Sequence, residues 1–102
     1  MSVSNEYLEK IKFAVRTVST DSNVVQEITD IIEECRADMI NKGVDEAVAN
    51  DEANYSTLGC VRSFARARFG IDANDISVNM ADYRLQVDEL RKAVRDESTG
   101  EG

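Results

Sequence analysis

A chain of 102 residues that is 42% apolar and 31% charged has room for one hydrophobic core, and its balance is that of a folded domain rather than a disordered one. Its formal net charge of −8 argues against non-specific affinity for a phosphate backbone over the surface as a whole. Its apolar runs of two or three residues fall far short of the roughly 20 that span a bilayer.

With no proline, and with apolar residues recurring every three or four positions, the sequence predicts an all-α fold, a small bundle of about four helices. The first helix starts after Ser4, carries Leu8, Ile11, Val15 and Val18 along one stripe, and ends near the polar cluster Ser19 to Ser22. The second follows an N-cap chosen from Asp21, Ser22 and Asn23. Its inner face holds Val24, Val25, Ile28, Ile31, Ile32, Cys35 and Met39, and Gly43 supplies the left-handed residue that ends it. Residues 44–51, VDEAVAND, read as an acidic connection with room for one helical turn.

The third helix contains CVRSFARARFG, residues 60–70, the one positive island of the chain: residues 53–71 hold three bases and no acid. At 100° per residue Leu58, Val61, Phe64, Ala65 and Phe69 form a broad apolar arc, widened by Cys60 and Ala67, which predicts a central helix packed on two neighbours. Arg62 and Arg66 lie one turn apart on the opposite, polar side with Tyr55, Gly59 and Ser63. Arg68 points elsewhere, in the last turn before Gly70, where a cation suits the helix dipole.

After the turn-like GIDANDIS, the fourth helix spans about Val78 to Asp96. Met80, Tyr83, Val87, Leu90 and Val94 make its seam, and Asp88 pairs with Arg91 and Lys92. Residues 1–96 are expected to form the single helical domain and residues 97–102 a flexible C-terminal tail.

Without histidine, the commonest general base at neutral pH is missing. Cys35 and Cys60 lack the close pairing of zinc ligands and sit at apolar helix positions, so they read as small buried hydrophobes. Adjacent acids such as Glu33-Glu34 and Asp51-Glu52 face about 100° apart and do not converge. Gly43, Gly59 and Gly70 stand alone, without a phosphate loop. The expectation is a non-enzyme that uses neither metal nor cofactor.

From Asp21 through Leu90, VVQEITDIIEECRADMINKGV, then CVRSFARARFG, an acidic turn and YRLQVDEL resemble, in order and spacing, the small head–tail connector proteins of tailed bacteriophages, also called adaptor or head-completion proteins. Phe69-Gly70 matches that family's aromatic-glycine pair, and Tyr83 with Leu90 matches its last-helix marker. The chain departs from the family in Cys35 and Cys60, where alanine is common, and in its longer link between Gly43 and Tyr55.

The resemblance implies a structural virion protein at the capsid vertex, made in the bacterial host cytoplasm. It would assemble as a homo-oligomeric ring, dodecameric in the virion, beneath the portal protein. There it would extend the channel through which DNA passes without specific binding and offer a docking surface to stopper or tail-completion proteins. It would have no membrane partner. The family's C-terminal helix and tail hold the portal, which makes Arg91, Val94, Arg95, Asp96 and Glu97 partner-binding candidates beside Arg62 and Arg66. The competing reading is a small helical DNA-binding or regulatory protein that uses the Arg62/Arg66 face. The net charge, the divergent arginines and the lack of a helix-turn-helix spacing weigh against it.

Overall fold

Short polar side chains open four of the helices. Ser4 accepts from the Tyr7 amide, Asp21 from Asn23, Asp45 from Ala47 and Asn54 from Thr57. Each cap satisfies an otherwise orphaned donor, a contribution of about 1 kcal/mol. The computed structural model describes residues 3–17, 21–69 and 73–101, with side chains of the last helix described over residues 74–92. Five helices follow in order: α1 (Asn5–Ala14), α2 (Ser22–Asn41), α3 (Glu46–Ala49), α4 (Tyr55–Arg68) and α5 (Ala73–Glu101), with no strand among the described residues. The fold is an all-α bundle.

α1 is shorter than its apolar stripe suggests. It stops at Ala14, where the Thr17 amide reaches the Lys12 carbonyl and the Arg16 amide reaches Phe13, the paired bonds of a Schellman motif. Val18 lies outside the described residues. α2 ends in the same motif, with Val44 bonded to Met39 and Gly43 to Ile40. Gly43 takes the left-handed position there (φ +101°), as its lack of a Cβ permits, whereas α1 places Arg16 in that role (φ +60°).

The acidic connection does contain one helical turn, α3, opened by an Asp45 cap that the sequence reading missed. The Thr57 hydroxyl donates to the Val48 carbonyl at 2.9 Å and ties this turn to α4. α5 starts at Ala73 rather than Val78. Asn74 and Asp75, which read as part of a turn, lie in the first turn of the helix instead: Asp75 suits the positive dipole end, and the Asn79 side-chain amide donates back to the Asp75 carbonyl at 2.8 Å. The helix continues past Asp96 to Glu101, while the side chains of the expected tail, residues 97–102, lie outside the described residues.

α4 packs on α1, α2 and α5, one neighbour more than its apolar arc suggested, and its contact with α5 is the largest in the molecule. The core joins Tyr7 and Ile11 of α1, Ile28, Ile32, Cys35 and Met39 of α2, Leu58, Cys60, Val61 and Phe64 of α4, and Tyr83, Val87 and Leu90 of α5. Full burial of each large aliphatic side chain contributes about 1.5–3 kcal/mol. Phe64 and Tyr83 meet with ring centroids 5.0 Å apart at a tilt of 58°, a favourable aromatic geometry. The buried Arg36 guanidinium lies 5.4 Å from the Tyr7 ring centroid and pairs with Glu52 at 3.1 Å. Glu52 also accepts from the Ser4 hydroxyl and amide, so one carboxylate joins the start of α1, the middle of α2 and the approach to α4.

Candidate interaction surfaces

The three arginines of α4 go to three destinations. Arg68, off the polar side as its spacing put it, reaches α2, where it pairs with Glu34 at 2.7 Å with its guanidinium 5.7 Å from the Phe64 ring centroid. Arg66 is exposed, and its Nε donates to the carbonyl of Ala14, the last residue of α1, at a long 3.4 Å. The negative end of the α1 dipole favours a cation there. Arg62 is half-buried and has no hydrogen bond or ion pair with the described residues. Ser63 departs from the expected polar face: it is buried, and its hydroxyl donates to Gln86 Oε1 at 2.7 Å. The reason is tertiary, because α5 lies along this flank of α4 and covers part of it.

Arg91 is half-buried and engaged within the chain. It pairs with Asp88, as expected, and donates to the Lys42 carbonyl at the end of α2 at 3.2 Å. Lys92 also holds Asp88, at 3.0 Å. Val94, Arg95, Asp96 and Glu97 follow along the α5 backbone, and their side chains lie outside the described residues. The candidates therefore occupy two regions, the outer edge of α4 and the C-terminal part of α5.

Phe13, at 86% exposure, and Leu85, at 67%, are large exposed side chains that escaped the sequence reading, whereas Tyr55, at 83%, stands on the outward side of α4 where its spacing put it. Phe13 was legible, since it falls well off the Leu8–Ile11–Val15 stripe of α1. Tyr55 of α4 and Leu85 of α5 both line a groove of about 460 Å³ between the two helices, together with Gly59, Gln86, Glu89 and others. A second cleft, of about 420 Å³, lies at the far end of α4 between Arg16, Arg66, Phe69 and Asn79.

The cysteine and tyrosine side chains with raised pKa values all point inward. Burial pushes the Cys60 thiol up to about 11, the Tyr7 hydroxyl to about 12, and the Cys35 thiol and Tyr83 hydroxyl upward as well. Both cysteines are unpaired and buried, the small core residues that their positions suggested. Among the described residues no group of three cysteine, aspartate or glutamate side chains is placed to hold a metal ion. What the surface offers is apolar side chains beside opposite charges, a chemistry of association. Comparison of the chain with protein-family models, with curated proteins and with solved structures finds no match.

Proposed function

We propose that the chain is a structural virion protein of a tailed bacteriophage, a connector that assembles as a ring under the portal at the capsid vertex and gives stopper or tail proteins their docking surface. The observation that carries this reading is the order of features along the chain, with CVRSFARARFG in the central helix and YRLQVDEL in the last. α5 adds support. Its 29 residues give a rod of about 43 Å against about 21 Å for the 14 residues of α4, so it has length to spare at the end assigned to the portal. An acid-rich subunit also suits a channel for sliding DNA, because every phosphate it neutralised would add a salt-dependent grip.

Electron microscopy of the chain mixed with a tailed-phage portal protein tests the proposal. The expected result is a ring on the portal that follows its rotational symmetry. Charge reversal at Arg62 and Arg66 together should weaken that attachment or the ring, and truncation after Lys92 should abolish portal binding. Tight, salt-dependent binding of duplex DNA by the isolated chain, without portal binding, would favour the DNA-binding reading instead.

A further inference from the structure

The cleft of about 420 Å³ opens where the end of α1, the last turn of α4 and the first turns of α5 meet. Val15 and Phe69, both half-buried and packed against the core, give it an apolar wall. Its polar side comes from Arg16, Arg66 and Asn79, with Asp75 the one acid among its lining residues.

The two arginines lack the partners that the chain gives to others. With 20 acids against 12 bases, carboxylates outnumber cations, and Arg36, Arg68 and Arg91 pair with Glu52, Glu34 and Asp88. The Arg16 guanidinium has no hydrogen bond or ion pair with the described residues, and that of Arg66 has only the long bond to the Ala14 carbonyl. Neither pairs with Asp75, which is engaged elsewhere. Arg62, one turn back on the exposed side of α4, is unpaired as well and extends the positive surface away from the cleft.

The backbone adds a second indication. The negative end of α1 favours a cation, but Lys12 in its last turn already supplies one. α2 closes its Schellman motif with Gly43, whereas α1 places Arg16 at φ +60°, a conformation that costs an L side chain energy. Strain of this kind is kept where a side chain has a task.

We propose that the cleft docks an acidic peptide segment of another protein, with one carboxylate between Arg16 and Arg66 and the apolar residue beside it covering Val15 and Phe69. A guanidinium fork matches a carboxylate with two parallel bonds, and Asn79 has one side-chain amide hydrogen not committed to Asp75. Charge selects this occupant. Asp75 and the exposed Asp82, one turn beyond Asn79, repel a doubly charged phosphate more than a singly charged carboxylate, and the net charge of −8 repels a nucleic acid. A free inorganic anion would also leave the apolar wall uncovered, whereas a peptide covers it. The site rests on the cleft itself and is independent of the connector reading.

NMR of the full chain, titrated with a blocked peptide that carries one glutamate between two leucines, tests this. Shifts should centre on Arg16, Arg66, Phe69 and Asn79, with a dissociation constant of about 1 mM for so small a contact. The glutamine counterpart should bind about tenfold more weakly, because it loses the charge-assisted bonds. Arg16→Gly and Arg66→Gln should each weaken the glutamate peptide about tenfold as well. Arg84→Gln, at an exposed and unpaired arginine beside Lys42 and Arg91, should leave binding unchanged. All three positions are exposed, so each variant should melt no more than about 3 °C below wild type, and Arg16→Gly, which relieves the strained cap, no lower at all. No shift at about 10 mM peptide would overturn the site. So would equal binding of the two peptides, full binding by Arg16→Gly, or inorganic phosphate binding as tightly as the glutamate peptide. Shifts at the same residues that grow with protein concentration alone would give the cleft to a second copy and overturn the proposal too. A chain that binds the peptide but ignores the portal would sink the connector reading alone, and a chain that binds the portal while the peptide leaves the cleft silent would sink only this site.

Discussion

The Tyr83 hydroxyl donates to Asp38 Oδ2 at 2.6 Å and so joins α5 to α2 across 45 positions of sequence. Tyr83 is fully buried against Phe64, and Lys42 holds the other oxygen of Asp38 at 2.6 Å. Tyr83→Phe keeps the ring and removes the hydroxyl, with its bond to this charged acceptor and its contact with the Cys35 thiol. The expected cost is about 1.5–3 kcal/mol, read as a lower urea midpoint at unchanged slope. A midpoint equal to wild type would mean that the bond contributes no net stability.

Acid should unfold the protein in a defined direction. Burial pushes the Asp38 and Glu52 carboxyls up, but hydrogen bonds to Asp38 from Lys42 and Tyr83, and to Glu52 from Ser4 and Arg36, outweigh it and leave both below their ordinary values of 3.8 and 4.5. The unfolded chain then binds more protons at the same pH. Stability from these groups is complete above the ordinary values and is lost as pH falls through the depressed ones. The urea midpoint should therefore decline below about pH 5, and the decline should be shallower in Glu52→Gln.

At neutral pH Glu52→Gln removes the charge opposite the buried Arg36. Breaking a fully buried ion pair costs about 3–5 kcal/mol, but the Glu52 side chain is 29% exposed, so about 2 kcal/mol is expected here. Thermal or urea unfolding of the single variant measures it.

Cys35 and Cys60 should resist thiol reagents in the native state. Burial raises both thiol pKa values, Cys60 to about 11, so at pH 8 neither offers an accessible thiolate. Labelling should proceed only through unfolding and accelerate in step with denaturant. Stoichiometric labelling of the native protein within minutes would contradict the buried placement.

The two Schellman motifs predict opposite signs for small substitutions. Arg16→Gly relieves a left-handed arginine and should stabilise by about 0.5–1 kcal/mol after the greater freedom of unfolded glycine is counted. Gly43→Ala imposes a Cβ at φ +101°, 3.1 Å from the Arg91 side chain, and should destabilise by about 1–2 kcal/mol. Calorimetry of both variants supplies the comparison.

Local periodicity and capping chemistry were enough to establish an all-α chain, the start of α1, the end of α2 at Gly43, the inner faces of α2 and α4, and the burial of both cysteines. Those features depend on residues within a turn of each other, where 3.6-residue geometry leaves little choice. Neighbours distant in sequence decided the rest. Ser63 left the polar face because α5 covers it, Arg68 and Arg91 turned to α2, and Glu52 became the tie between α1 and α2. Phe13 was visible as an off-stripe residue, but the Tyr55–Leu85 groove exists only because α4 and α5 lie side by side. Helix identity is set by backbone bonds between near neighbours, whereas a surface is composed by packing, which no single segment contains.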